Sequence, residues 1–175
     1  MNFKWFEACL ACGCKEFYTV LDLGEHPLPN SYPSEPNAVV NKYPLGLNFC
    51  ARCCHIQLFG VPNEPMFEDY SYVNTSLSYY LHQKALVDYA TIKVPIMCYV
   101  FDVGGNNGDL ARAFRDAGVA AYVIDPSKNQ EVDRFNKGLP SITGYFTEEL
   151  VSRIKIKPDL VTMCNVLPHT PDPEG

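Results

Sequence analysis

The sequence predicts an α/β protein in which a small N-terminal four-cysteine domain is followed by part of a Rossmann-like, doubly wound sheet. Three observations support this. Two CxxC motifs lie in the first third of the chain, short apolar runs alternate with amphipathic stretches in the rest, and a glycine-rich turn follows the first such run. We expect residues 1–66 to form the first domain, 67–95 a linker and first helix, and 96–175 the sheet domain.

Composition excludes several classes of protein. The chain has 175 residues, of which 47% are apolar, and carries 20 acidic and 14 basic side chains, a net charge of −6. That balance is typical of a globular protein and argues against nucleic-acid binding through phosphate contacts. No apolar run reaches the ~18 residues of a membrane helix. No basic segment followed by a long apolar one opens the chain, so we expect a cytoplasmic protein without membrane contact.

The N-terminal cysteines indicate a metal site. Cys9 and Cys12 form one CxxC motif, and Cys50 and Cys53 form the other. Each such turn directs two thiolates at one point, so the pair can complete an all-sulfur tetrahedron around Zn²⁺. A closed shell of four cysteines leaves no open coordination position, which predicts a structural zinc. Residues 22–66 are rich in Pro, Asn and Gly, so the metal would take the place of a hydrophobic core there.

Other cysteine assignments remain open at this level. Cys14, Cys54 and His55 lie beside the motifs and could replace a ligand, and all the thiols could be reduced and unliganded. Cys98 and Cys164 lie in apolar runs, which predicts small core residues. The few basic residues of the first domain form no stripe, so a nucleic-acid-binding zinc ribbon is disfavoured.

The elements of the second domain follow from local patterns. Thr75 or Ser76 can cap a helix that reaches about Ile92 and ends before Pro95. Met97–Val103 is apolar and rich in β-formers, as expected for a buried parallel strand. Asp109 can cap the next helix and Gly118 can end it. The remaining predicted elements are a strand at Ala120–Ile124, a helix at Glu131–Asn136, a strand at Ile142–Phe146, a helix at Thr147–Ile154 and a strand at Asp159–Cys164.

The turn after the first strand indicates a ligand site, because doubly wound sheets bind ligands beyond the carboxyl ends of their strands. Its pattern, Asp102-x-Gly104-x-Asn106-x-Gly108, lacks the GxGxxG of dinucleotide folds. It is a variant of the acidic-x-Gly-x-Gly-x-Gly loop of S-adenosylmethionine methyltransferases. Gly104 allows a tight turn and Gly108 allows close backbone approach to a ligand. Asp125 ends the next strand, where a carboxylate can accept hydrogen bonds from both ribose hydroxyls; the alternative is a tight turn beside a surface Asp.

Taken in order, these motifs resemble a known family. They are the paired CxxC motifs and the segments Cys53–Leu58, Phe67–Tyr72, Gly104–Gly108, Ile124–Ser127 and Asn165–His169. The chain resembles the sugar C-methyltransferases with an N-terminal zinc-binding domain, a group that includes nucleotide-deoxysugar 3-C-methyltransferases. The resemblance runs from about Cys9 to the last residue and implies a class I S-adenosylmethionine methyltransferase sheet, with Asn165 among the cofactor-binding residues.

The sequence departs from the family pattern at several positions. The family commonly has Gly where Cys54 stands, an acidic residue at Asn107, Glu at Asp125 and Ala at Pro168. Family members also continue for about as long again. We therefore expect a truncated or split member, completed by a homodimer partner or by a complementing C-terminal chain, so activity of this chain alone is uncertain.

The resemblance also implies a reaction. The acceptor is a nucleotide-linked 4-keto sugar, from which a base removes the proton beside the ketone before the enolate takes the methyl group. By motif position, His169 matches an active-site histidine, Tyr70 or Tyr72 matches a linker tyrosine, and His82 matches a position without a clear role. The alternatives without a catalytic role are that His169 is a solvated histidine and that Tyr70 and Tyr72 only pack the linker against the domain.

Two other classes of function remain. The first is a zinc-stabilised binding module that makes protein or nucleic-acid contacts without catalysis. The second is a nicotinamide-dependent oxidoreductase on a related sheet, which the absent GxGxxG disfavours.

Overall fold

The computed structural model describes residues 3–63, 66–70 and 72–170. The chain divides into two compact units, Met1–Met66 with Thr170–Gly175, and Phe67–His169. No helix of the described part of the chain is long and apolar enough to cross a bilayer.

The first unit consists of antiparallel strands around a small aromatic core. Its strands are β1 (Phe3–Trp5), β2 (Phe17–Pro27), β3 (Lys42–Cys50), β4 (Ile56–Leu58) and β5 (Gly60–Pro62), paired as β1-β5 and β2-β3-β4. Phe3, Tyr43 and Phe59 are buried, and the rings of Phe3 and Tyr43 lie 6.4 Å apart. A Cβ on Gly46 would lie 2.2 Å from Cζ of Phe59, so this strand position requires glycine. The metal site is thus accompanied by an apolar core, which the Pro-rich and Gly-rich composition did not predict.

The second unit has the predicted alternation of strand and helix. Its elements are α1 (Leu77–Lys93), β6 (Tyr99–Val103), α2 (Asp109–Asp116), β7 (Ala120–Asp125), α3 (Glu131–Asn136), β8 (Ser141–Thr143), α4 (Glu148–Arg153), β9 (Leu160–Thr162) and a final 3₁₀ turn, Leu167–His169. The four strands form a parallel sheet in the order β8-β7-β6-β9. Ser76 caps α1 by accepting a hydrogen bond from the Tyr79 amide at 3.3 Å.

Side chains cover both faces of this sheet. On one face Val100 and Val123 pack with Leu110 and Phe114 of α2, all of them buried. On the other face Phe101, Val103 and Ile124 form a smaller cluster. Burial on both faces explains why the central strands are nearly continuous apolar runs.

The structure corrects three local predictions. Asp109 is the first residue of α2 and Gly108, at φ +80°, is its N-cap; Oδ1 of Asn107 accepts the hydrogen bond from the Asp109 amide at 3.2 Å. Cys98 and Cys164 are exposed rather than part of the core. Cys98 precedes β6 and Cys164 follows β9, because each strand is shorter than the apolar run of sequence in which it lies.

Candidate functional site

The four predicted metal ligands come together in the first unit. The Sγ atoms of Cys9, Cys12, Cys50 and Cys53 all lie within 4.8 Å of one another. Two of the distances are 3.6 Å, between Cys9 and Cys53, and 3.7 Å, between Cys12 and Cys50. Tetrahedral zinc with Zn–S bonds of about 2.3 Å requires sulfurs about 3.8 Å apart. The donor set and its spacing therefore fit Zn²⁺, and among the described residues the cluster contains none of Cys14, Cys54 and His55.

The two CxxC motifs have the same backbone hydrogen bonds. In the first, the amide of Cys9 donates to the Cys14 carbonyl and the amide of Gly13 donates to the Cys9 carbonyl, both at 2.8 Å. In the second, the amide of Cys50 donates to the carbonyl of His55 at 2.9 Å and the amide of Cys54 donates to the carbonyl of Cys50 at 3.0 Å. The site is therefore built from two copies of one turn, which we call the first and second knuckles.

The thiols of the cluster differ in pKa. The backbone N–H of Cys53 lowers the pKa of Cys50 to about 6. The backbone N–H of His55 acts to lower the pKa of Cys53, but the hydrogen bond with the Cys12 thiol and burial outweigh it and raise that pKa to about 12. A metal ion must therefore displace protons from this cluster.

Gln57 in β4 supports the first knuckle, a role that sequence reasoning missed. Its side chain is only 5% exposed. Its Oε1 accepts a hydrogen bond from the Leu10 amide at 2.8 Å, and its Nε2 donates to the Ala8 carbonyl at 3.2 Å. The amide thus fastens β4 to the backbone on both sides of Cys9.

A cleft opens in the second unit at the carboxyl end of the sheet. It lies between α1, the glycine loop 104–108 and the segment after β9. Of the predicted residues, it gathers Asp102, Gly104, Asn106, Asn165, Tyr72 and His82. Tyr79, Gln83 and Cys164 also line it, and sequence reasoning had assigned no site role to them. Gly108, Asp125, Tyr70 and His169 lie outside the lining.

Asp102 is the most unusual group in this cleft. It is 2% exposed, and its Oδ1 accepts a hydrogen bond from Oγ1 of Thr162 at 2.7 Å. Its Oδ2 has no hydrogen-bond partner among the described residues. Burial raises the pKa of this carboxyl to about 7. A Cβ on Gly105 would lie 2.6 Å from that Oδ2, so the open oxygen depends on glycine at position 105. Such an oxygen suits a cationic hydrogen-bond donor of a ligand.

The two outer glycines of the loop are explained by contacts within the chain. A Cβ on Gly104, where φ is +67°, would lie 2.3 Å from Cγ2 of Val166. A Cβ on Gly108 would lie 2.5 Å from Cδ1 of Leu139. Close ligand approach was the predicted reason for Gly108, but Leu139 occupies that side of the residue.

Asp125 is buried and organises two loops, so the alternative of a surface Asp is wrong. It is 6% exposed. Its Oδ2 accepts a hydrogen bond from the Asn106 amide and its Oδ1 accepts one from the Ser127 amide, both at 2.8 Å. The Arg134 guanidinium lies 3.5 Å from the same Oδ1. Recognition of ribose hydroxyls by Asp125 stays a prediction.

The linker that contains both predicted tyrosines is held through its backbone. Three consecutive residues after β7 donate to three consecutive linker carbonyls, and a fourth bond comes from the glycine loop. These bonds are Lys128 amide to Glu68, Asn129 Nδ2 to Asp69, Ser127 Oγ to Tyr70, and Asn106 Nδ2 to Tyr72. Both tyrosines are therefore placed at the carboxyl edge of the sheet by bonds that do not use their hydroxyls.

The rings of His169 and Tyr70 both lie beside the ring of Phe67. The ring centroid of Phe67 is 5.6 Å from that of His169 and 5.7 Å from that of Tyr70. His169 is exposed, and its amide donates to the carbonyl of Val166 at 2.9 Å. Phe67 thus brings the predicted histidine and one predicted tyrosine together, although neither lines the cleft.

The fold and the two sites define a class: an α/β protein with a four-cysteine metal domain and a Rossmann-like unit that carries a glycine-loop cleft. Residues 9–67 match the family model described as "Putative zinc binding domain". The chain is also 25% identical over 175 residues to the C-methyltransferase NovU of Streptomyces niveus. That match covers 95% of this chain but 42% of NovU. The resemblance found from the motif order is thereby confirmed.

Among solved structures, the chain is similar to the C-terminal domain of the precorrin-6Y C5,15-methyltransferase of Rhodobacter capsulatus. The two are 17% identical and superpose with a TM-score of 0.38 over 56% of this chain and 53% of that one.

Proposed function

We propose that this chain contributes the zinc-binding and methyl-donor-binding parts of an S-adenosylmethionine-dependent C-methyltransferase acting on a nucleotide-linked keto deoxysugar. One observation carries the proposal: the buried, unpaired Oδ2 of Asp102 in the glycine-loop cleft, in a chain similar to a C-methyltransferase along 95% of its length. The substrate class comes from the family resemblance.

The polar side chains of the cleft suit S-adenosylmethionine, a methyl donor that carries an ammonium and a sulfonium group. Asp102 would accept from the ammonium group, and Asn106 and Asn165 offer amide groups to the amino-acid carboxylate. Asp125, at the end of β7, would hold the ribose, since its oxygens retain lone pairs beyond the bonds described.

Bound S-adenosylmethionine would supply an electrophilic methyl group, and the remaining chemistry belongs to side chains. In our proposal the His169 imidazole takes the proton from the sugar carbon beside the keto group, and the electron pair moves to the keto oxygen. A hydroxyl of Tyr70 or Tyr72 donates a hydrogen bond to that oxygen as it becomes negative. The contact of Phe67 with both His169 and Tyr70 supports their joint action.

The zinc would be structural in this scheme. The four cysteine sulfurs would hold the ion and would leave it no position for substrate or water. Its contribution is to order the first unit, in which β2 buries almost none of its side chains.

Titration calorimetry with S-adenosylhomocysteine tests the donor site. The wild-type chain should bind, and Gly104→Val should abolish binding because its side chain would collide with Val166 or displace the loop. Asp102→Asn removes the charge with little change of shape and should weaken binding at least about tenfold. Glu149→Gln, on exposed α4, is the matched control and should bind as wild type. A wild-type chain that is folded and loaded with zinc but does not bind would overturn the proposal.

A second function is favoured by one observation. Cross-strand partners of β2, β3 and β4 place an apolar row on one face of that sheet, with Leu21 opposite Leu47 and Leu47 opposite Leu58. Leu21 is 43% and Leu58 41% exposed. Such a face suits a zinc-stabilised protein-binding module. A chain that binds no S-adenosylhomocysteine but loses self-association or partner binding on Leu21→Ser would support this function.

A further inference from the structure

Arg134 is a fully buried cation on α3, a helix that contributes nothing to the lining of the cleft. Its side chain is 0% exposed. Its Nη1 donates to the carbonyl of Asn106 in the glycine loop at 2.8 Å, and its Nη2 donates to the carbonyl of Ser127 after β7 at 2.8 Å. Nη1 also lies 3.5 Å from Oδ1 of Asp125. One guanidinium therefore joins the two loops that follow β6 and β7.

Lys137, three residues after Arg134, also donates to a carbonyl of the glycine loop. Its Nζ donates to the carbonyl of Asn107 at 2.8 Å and to Oδ1 of Asp109 at 2.8 Å. Two consecutive carbonyls of the glycine loop are thus held by two cations from one short segment. A third contact from this segment is Leu139, which packs against Gly108.

These contacts determine how the loop peptides are turned. A trans peptide places its C=O and the following N–H on opposite sides, so holding the Asn106 carbonyl on Arg134 directs the Asn107 amide the other way. The Gly108 amide donates to the Gly105 carbonyl at 2.8 Å and closes the turn. Without the cations, the carbonyls of Asn106 and Asn107 would lose charge-assisted partners, and the loop could rotate its peptides.

We propose that Arg134 and Lys137 are positioning residues that hold the glycine loop in its ligand-binding geometry from behind the cleft. The inference rests on the proposed function, because it assigns a role in donor binding to side chains that do not line the donor site. It predicts that donor affinity depends on α3 and the residues just after it. Arg134 suits this buried position because a planar guanidinium can donate to two carbonyls and pair with a carboxylate at the same time, which the ammonium group of lysine cannot do in this geometry.

The first measurement is calorimetric affinity for S-adenosylhomocysteine. Lys137→Met removes the cation but keeps the length of a side chain that is only 23% exposed. We expect it to raise Kd about tenfold, as the loss of a charge-assisted hydrogen bond does. Arg134→Lys should raise Kd by at least as much. The matched controls, Lys155→Met and Arg153→Lys, change exposed residues and should stay within about twofold of wild type.

The second measurement is amide hydrogen exchange of the ligand-free chain. Lys137→Met should speed exchange at the Gly108 amide, which belongs to the peptide whose carbonyl Lys137 holds and which is bonded to the Gly105 carbonyl, about tenfold, while leaving Val123 in β7 unchanged. A general loss of stability would raise exchange at both positions, so this readout separates positioning from folding.

The outcomes are distinguishable. If the wild type binds and both variants bind equally well with unaltered loop exchange, the positioning role is overturned. If the wild type itself does not bind, the proposed function fails, and loop exchange still decides whether the cations hold the loop. If Arg134→Lys does not fold, Lys137→Met alone decides, since its side chain is partly exposed.

Discussion

Cys54 occupies in the second knuckle the position that Gly13 occupies in the first. Each lies four residues after the first cysteine of its motif and donates its amide to the carbonyl of that cysteine. Both have left-handed backbone, with φ +69° at Gly13 and +63° at Cys54. A cysteine is strained in that conformation and a glycine is not. This explains in physical terms why the resembled family has Gly where this chain has Cys54.

Cys54→Gly should therefore stabilise the first unit. We expect a gain of about 1 kcal/mol in the free energy of unfolding, because the strain of a side chain at positive φ is removed. Denaturant unfolding of the zinc-loaded chain measures it, with Cys14→Gly as the control that should bring no gain. A loss of zinc from Cys54→Gly would instead show that Cys54 is a ligand.

Metal analysis should find one zinc per chain, held by the four clustered cysteines. Cys50→Ser should lose it, whereas Cys98→Ser, an exposed thiol of the other unit, should retain it. Since the zinc-bound thiols must be deprotonated, affinity should rise with pH and binding should release protons, which calorimetry in buffers of different ionisation enthalpy detects. Full occupancy in Cys50→Ser would contradict the assignment.

Local patterns predicted much of this molecule because their causes are local. Ser76 caps a helix through its own hydroxyl, and a CxxC turn directs two thiolates by its own geometry. The parallel strands β6 and β7 were evident since strands buried on both faces need continuous apolar runs.

The remaining features depend on residues far apart in sequence. The β2-β3 hairpin pairs Phe17 with Cys50, and no local signal marks that register. Gln57 and Arg134 look like ordinary polar residues in the sequence, and their roles depend on which backbone groups the fold brings to them. Asp125 could be predicted as a strand-terminal acid, but not its burial.

Ser127→Ala should loosen the linker that carries Tyr70 and Tyr72. The Ser127 hydroxyl is buried and donates to the Tyr70 carbonyl at 2.6 Å, so its loss leaves that carbonyl without this partner. We expect amide exchange or proteolytic cleavage within residues 66–72 to accelerate about tenfold, with the melting temperature little changed. Ser152→Ala removes a similar hydroxyl-to-carbonyl bond on exposed α4 and should leave the linker unchanged.

Asp102→Asn should affect stability and donor binding in opposite directions. Burial raises the folded-state pKa of Asp102 to about 7, well above the ordinary Asp value of 3.8. A group with a raised pKa contributes most below its unfolded pKa, and that contribution is lost as the pH rises from about 4 through 7. Asparagine keeps an acceptor for Thr162 and carries no charge, so the variant should be more stable than wild type at pH 8 and nearly equal to it at pH 4.

The same charge should matter for the ligand. If the ammonium group of the donor binds the open Oδ2, S-adenosylhomocysteine should bind wild type more tightly as the pH rises through about 7, and Asp102→Asn should lack that increase. Asp159→Asn is the control of opposite sign, because the amides of Tyr99 and Cys98 lower the pKa of Asp159, so that variant should lose stability at pH 8. Equal stability of Asp102→Asn and wild type from pH 4 to pH 8 would show that other groups already offset the cost of burying the Asp102 carboxylate. The open oxygen would then lose its role as the feature that a cationic donor recognises.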